Sequence, residues 1–279
     1  MIVIKADGRR ERFNKFKIIN SLQRVGIAEA QAKTMASELQ SKFPGVVQSD
    51  YIFQELIGRL SRIDSTVAAR YNLRRAIMHL GPSGYPFEKY VGRILAKLGY
   101  ETRTNLFLKG NCVMHEVDVI ARKERTHYLI ECKYHNTPGA RSDVKVALYS
   151  WARFVDIRQR WEKEASHYGE QHVSWLITNT RFTKDAIDYG RCMGVKITGW
   201  GYPLEQSLED MISQSESYPV NIFPQFGSAL VYKKLFDAKI VLASDLLRHS
   251  LKELQRKTGL KAQELATLQN EARKLCPNC

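Results

Sequence analysis

The chain lacks several things whose absence narrows its chemistry. No uninterrupted apolar run approaches the roughly 20 residues that a helix needs to cross a bilayer, so no membrane partner is expected. The opening, MIVIKADGRRERF, has no apolar signal core and carries acidic residues, which argues against an export or organelle signal and for a cytoplasmic location. Cysteine is scarce and odd in number: five scattered residues argue for free thiols rather than a disulfide framework. Cys276 and Cys279, in CPNC, have the spacing of half a zinc site, but no second CxxC or HxxxH completes it. There is no low-complexity tract and no glycine-rich Walker loop, so any nucleotide site is expected to bind without hydrolysing.

Negative charge is also in short supply. The net charge is +14, divided as +7 over residues 1–82, +2 over 83–225 and +5 over 226–279. The basic excess therefore lies in the flanks, and polyanions are the expected partners: nucleic acid, nucleotide phosphates, or both. At 279 residues the chain suits two or three domains.

The first 82 residues read as a short hairpin turned at Asp7-Gly8, then four helices: one after Asn14, one over about 28–42, one after the Ser49-Asp50 cap and one over about 65–80. GPSGYP at 81–86 ends this unit. A helix from Pro86, with Phe87, Tyr90, Val91, Ile94, Leu95 and Leu98 as its apolar stripe, leads to strands at 101–108, 112–121 and 127–134. A long helix over about 142–166 follows, with Val144, Leu148, Trp151, Val155 and Trp161 as core contacts. A buried strand (173–178), a helix (183–192) and a last strand (195–200) complete a mixed α/β sheet. Residues 215–227, with two prolines, read as a linker, and 228–279 as a helical tail.

The chemistry is concentrated in MHEVDVIARKERTHYLIECKYH, residues 114–135. Asp118 interrupts one apolar run, and Glu131 and Lys133 interrupt the next. Side chains alternate along a strand, so Glu131 and Lys133 share one face, as do Glu116 and Asp118. On adjacent strands, Asp118 and Glu131 can converge on one magnesium or manganese ion, which favours one or two carboxylates plus waters and phosphate oxygens. Lys133 would orient the attacking water and offset negative charge, and Glu88 on the preceding helix can add a ligand directly or through water. The plain alternative is a Glu131–Lys133 ion pair with a solvated Asp118.

This pattern resembles the PD-(D/E)xK nuclease superfamily, and within it the Mrr-like restriction endonucleases. Phe87-Glu88, LGYE at 98–101, EVDVIA at 116–121 and LIECKYH at 129–135 carry the resemblance, which covers about 86–200. It implies that Asp118 and Glu131 bind metal and that Lys133 assists the water. One departure is His115, where the family often has glycine.

VIKADGRRERFNKFKI, SDYIFQELIGRL and AARYNLRRAI resemble the ATP-cone, a nucleotide-binding module of ribonucleotide reductases and of a repressor of their genes. The resemblance implies ATP or dATP contacts at Lys5, Glu11, Asn14 and Lys17. Lys5, Arg9 and Lys17 suit phosphates, and Glu11 and Asn14 suit a ribose or base edge. A hairpin that contacts DNA phosphates is the alternative. In the tail, LFDAKIVLASDLL and LKELQRKTGLKAQELATL resemble helix-hairpin-helix domains. Gly259 would form the hairpin, and Lys257 and Lys261 would flank it against DNA phosphates. A helical protein-binding domain is the alternative there.

The expected architecture is an α+β, mostly helical ATP-cone (1–82), a restriction-endonuclease-like α/β core (83–214), a linker (215–227) and an all-α tail (228–279). The expected function is metal-dependent DNA hydrolysis under ATP or dATP control, in restriction and defence or in DNA processing. A homodimer or larger assembly is expected because two strands must be cut. The alternative is a nucleotide-responsive DNA-binding regulator with a non-catalytic nuclease scaffold.

Overall fold

A computed structural model describes residues 1–81, 84–223 and 228–277. Cys279, and with it the full CPNC pair, lies outside them, as do the last residues of the 215–227 segment. Among the described residues no helix is long and apolar enough to cross a membrane.

The chain begins with β1 (Ile2–Ile4), β2 (Arg10–Arg12), α1 (Lys15–Gln23), α2 (Glu29–Lys42), β3 (Val46–Gln48), α3 (Ser49–Ile63) and α4 (Ser65–Met78). Strand β1 pairs antiparallel with β2 and parallel with β3. The sequence reading missed β3 because three residues are too few for a period-two signal. The helices bury Leu22, Leu39, Leu56 and Leu60 around Val3 and Val47, so the small sheet and the amphipathic helices share one core.

Next come α5 (Tyr85–Lys97), β4 (Glu101–Lys109), β5 (Met114–Lys123), β6 (Thr126–Lys133), β7 (Arg141–Ser142), α6 (Val144–Trp161), β8 (Gln171–Thr178), β9 (Arg181–Phe182), α7 (Lys184–Met193), β10 (Lys196–Thr198) and α8 (Leu208–Gln214). The main sheet has the order β10-β8-β6-β5-β4. Its β4, β5 and β6 are antiparallel neighbours, whereas β6, β8 and β10 run parallel. A tight turn at Glu124-Arg125 joins β5 to β6, with Glu124 left-handed at φ 55°. Phe87, Tyr90, Val91, Ile94 and Leu95 bury one face of α5, as the apolar spacing predicts.

Helix α6 keeps Trp151, Val155 and Trp161 of its expected stripe as core contacts but differs at Leu148. Its buried face is Ala147, Ser150, Phe154, Ile157 and Trp161, and Leu148 is 46% exposed. Apolar residues surround much of this helix, so spacing alone left its orientation open. Small Ala147 and Ser150 mark a side that can approach neighbouring elements closely.

The last elements are α9 (Ala229–Asp237), α10 (Ala243–Leu247), α11 (Leu251–Thr258) and α12 (Ala262–Leu275). The chain divides into two compact units: Met1–Ala76 with Tyr218–Cys279, and Ile77–Ser217. Thus the first and last segments, expected as separate domains, are parts of one unit. The expected linker also differs where it is described. Tyr218, Val220, Ile222 and Phe223 are buried. The Val220 N–H donates to Val241 O (2.8 Å), and the Ala243 N–H donates to Tyr218 O (2.8 Å). Asn72 Nδ2 donates to Ile222 O (2.9 Å) and Asn221 Nδ2 to Ala76 O (2.9 Å). Two prolines suggested a tether, but the apolar side chains between them favour burial over solvent.

Candidate active site

The site is created by a fork in the main sheet. The β5–β6 ladder runs from Lys123↔Thr126 to Val119↔Ile130 and stops there. Beyond that point β6 stays paired with β8 through Glu131↔Leu176 and Lys133↔Thr178. Asp118 and Glu131 occupy the next cross-strand register position after the last pair. Asp118 closes the fork by accepting a hydrogen bond from the Cys132 N–H at 2.7 Å. One carboxylate oxygen therefore replaces a strand carbonyl, which fixes the side chain without neutralising its charge.

The electrostatics follow from crowding and burial. Burial pushes the Glu131 carboxyl up to about 7, and the neighbouring charge of Asp118 adds to the rise. Burial also raises Asp118, while the Cys132 N–H opposes that shift. Glu88, near the start of α5, is raised by burial, and Asp118 and Glu116 contribute further. Three sequence-predicted carboxylates thus belong to one electrostatic cluster. Lys133 lowers both Asp118 and Glu131 by its charge. Among the described residues its ammonium makes no ion pair, so the alternative of a Glu131–Lys133 pair is not formed.

Two residues of this site were missed by the sequence reading. Arg153, on α6, donates from Nη1 to Glu131 Oε2 at 2.5 Å. Asn105 donates from Nδ2 to Glu88 Oε2 at 2.6 Å. Asn105 interrupts the β4–β5 ladder between Thr104↔Val119 and Leu106↔Val117, and its φ is +54°. Its Oδ1 is buried without a hydrogen-bond partner. An asparagine tolerates this backbone better than most residues, which was the available signal. Arg153 gave none, because a helical arginine usually reads as solvated.

Hard carboxylate oxygens under mutual repulsion, beside an unpartnered amide oxygen, fit a divalent cation such as magnesium, which takes few protein ligands and keeps waters. Among the described residues no group of three or more His, Cys, Asp or Glu side chains is arranged to hold a metal. Two carboxylates with water are the set the fork provides. The histidines serve other ends. His115 Nε2 meets Asp156 Oδ2 at 2.7 Å, and Asp156 also accepts from the Cys112 and Val113 N–H groups. Gly110 belongs to that loop, and a Cβ there would lie 2.0 Å from Asp156 Oδ2. His135 Nε2 meets Ser142 Oγ at 3.0 Å.

In the other unit, Lys5 and Lys17 both pair with Glu11, at 2.9 and 3.2 Å. Asn14 caps α1 by accepting from the Lys17 N–H. Those four residues come together at the hairpin–helix junction. Arg9 instead pairs with Asp7 across the turn, at 2.7 Å. In the tail, Gly259 ends α11 with φ +65°, and its N–H donates to Gln255 O at 2.8 Å. Lys257 Nζ lies 3.2 Å from His249 Nε2, and the Lys261 N–H donates to Glu264 at 3.1 Å.

Comparison with known proteins places these units. Residues 1–77 match the ATP cone domain, 81–198 match the Mrr-type family described as restriction endonuclease, and 228–276 match the AF1548-like C-terminal family. An uncharacterized protein of Archaeoglobus fulgidus is 34% identical over 185 residues, covering 66% of this chain and 99% of that protein. The chain belongs to the AF1548-like family. The crystal structure of AF1548, a protein of unknown function, aligns with a TM-score of 0.56 and 33% identity over 71% of this chain and all of that one. A transcriptional repressor NrdR from Clostridium perfringens is 35% identical over 79 residues, 25% of this chain and 53% of the repressor. This AF1548-like chain thus joins an ATP cone, a restriction-endonuclease core and a helical C-terminal domain.

Proposed function

We propose that the protein is a divalent-metal-dependent DNA endonuclease whose activity responds to ATP or dATP. The observation that carries this reading is the fork at Val119–Ile130, which puts Asp118 and Glu131 at facing register positions with Lys133 on the face of Glu131. Asp118 and Glu131 would hold magnesium or manganese, which when bound activates water and stabilises charge on the phosphate. Lys133, without an ion-pair partner among the described residues, orients the water and offsets charge at the scissile phosphate. Glu88, held by Asn105, holds a water at the edge of the cluster. The α11–α12 hairpin acts in the manner of a helix-hairpin-helix: Lys257, Gly259 and Lys261 engage DNA phosphates without reading sequence. Nucleotide phosphates draw Lys5 and Lys17 from Glu11, and Glu11 and Asn14 turn to the nucleoside. Cutting both strands calls for at least a homodimer, in restriction and defence or in DNA processing.

The test is cleavage of plasmid, modified and branched DNA by the wild type and by Asp118→Ala, with Mg²⁺ or EDTA and with or without ATP. The reading expects metal-dependent cutting by the wild type alone. A second reading, a nucleotide-responsive DNA-binding regulator, draws on the ATP-cone likeness to a transcriptional repressor. It expects cutting by neither protein and DNA binding by both.

A further inference from the structure

Arg153 is out of place for a simple surface arginine. It and Glu131 are only 14% and 16% exposed, and the pair is closed at 2.5 Å. The guanidinium also lies 4.5 Å from the centroid of the Tyr149 ring and donates to the Tyr149 hydroxyl. Tyr149, one helical turn earlier on α6, is 57% exposed, so the arginine sits directly beneath a solvent-facing ring. Its Nε is buried without a partner.

A guanidinium and a divalent cation cannot share one carboxylate oxygen without strong repulsion. Arg153 holds Oε2, and its charge opposes a cation on Oε1, so guanidinium and cation compete for Glu131. The guanidinium in turn has two acceptors of comparable fit, because its planar fork matches phosphate as well as carboxylate. A phosphate arriving beside Tyr149 offers the arginine a partner and leaves Glu131 an unpaired carboxylate next to Asp118.

We infer that Arg153 is a positioning residue that closes Glu131 in the free protein and releases it when a DNA phosphate takes the guanidinium, so that substrate binding opens the metal site. This deepens the proposed nuclease reading and rests on it. The consequence is a thermodynamic coupling between DNA and divalent metal that is routed through one side chain.

The coupling is measurable without turnover. Mn²⁺ affinity would be determined by electron paramagnetic resonance at pH 8.5 on the full chain, free and saturated with a short phosphorothioate DNA duplex. For the wild type the duplex tightens Mn²⁺ binding by about tenfold, within the usual range of such couplings. In Arg153→Met the free protein already binds Mn²⁺ about as tightly as the DNA-bound wild type, and the duplex adds little. Arg153→Lys, which keeps the charge but not the fork, shows a reduced coupling and serves if the methionine variant does not fold. Wild-type coupling retained in whichever of these variants folds overturns the role of Arg153. Loss of Mn²⁺ binding in Asp118→Asn would then show that the metal site itself stands. Equal Mn²⁺ binding by Asp118→Asn and wild type removes the site, and both readings with it.

Discussion

Asn105 reaches Glu88 from a left-handed backbone position inside β4. Its φ of +54° breaks the ladder opposite Asp118 and turns Nδ2 to within 2.6 Å of Glu88 Oε2. A left-handed residue inside a strand is a local cost, and here it sits beside the carboxylate cluster, where such costs tend to gather.

Asn105→Gly therefore separates backbone from side chain. Glycine relieves the left-handed conformation but removes the donor to Glu88. The variant should stay within about 1 kcal/mol of wild-type stability, since strain relief offsets the lost hydrogen bond. Cleavage should fall by about tenfold, the scale of one misplaced supporting group. Urea unfolding and initial cleavage rates check the two halves, and an unchanged rate would remove Glu88 from the mechanism.

Glu131 predicts a pH dependence with a definite sign. Its folded pKa is raised from 4.5 to about 7, so the folded state holds the proton more tightly than the unfolded chain. Its contribution to stability is complete below about pH 4.5 and is lost as pH rises through 7. Metal-free wild type should lose stability relative to Glu131→Gln across that window. Metal affinity should strengthen across the same window as the carboxylate ionises. Thermal melts in EDTA and Mn²⁺ titrations from pH 5 to 8.5 test both trends.

His172 predicts the opposite slope. It is lowered to about 4, chiefly by burial and then by the nearby charges of His167 and His127. Its ring lies 5.1 Å from Trp161, on which His167 stacks at 4.4 Å, and its Nε2 is 3.1 Å from His167 Nδ1. The folded state resists protonation here, so stability is lost as pH falls from 6.5 through 4. His172→Gln should flatten the acid limb of unfolding followed by tryptophan fluorescence. An unchanged acid midpoint would place the acid-sensitive group elsewhere.

Asn72 predicts that residues 218–223 are structural. Asn72→Leu leaves the Ile222 carbonyl without its amide donor in a buried setting. The expected loss is about 1–3 kcal/mol, the cost of an unsatisfied buried polar group. Limited proteolysis should then cut near residues 218–223, which the wild type protects. Rapid cutting of the wild type there would show that the segment behaves as a tether after all.

Much of this molecule was legible in its residues, for reasons that can be named. Val117 to Ala121 and Tyr128 to Cys132 are apolar runs that read as strands, so Asp118, Glu131 and Lys133 stand out as ionic exceptions in or beside them. Asp7-Gly8 marks its turn, and Gly259 ends α11 with the positive φ that its residue type favours. Proline misled at 219 because turn propensity is local, whereas burial of Tyr218 and Phe223 depends on what the rest of the chain brings to them.

The sequence by itself determined the longer helices and strands, the ionic residues inside apolar strands and the three motif-bearing segments, because each is a pattern within a few neighbouring residues. Only the tertiary structure decided that the fork opens after Val119, that Arg153 is the partner of Glu131, and that residues 218–223 join the first segment's unit. Those outcomes depend on contacts outside any local window, from 14 residues apart for Asp118 and Cys132 to 150 for Asn72 and Ile222. Which of many distant partners a side chain meets is settled by how the whole chain packs, and no local pattern encodes it.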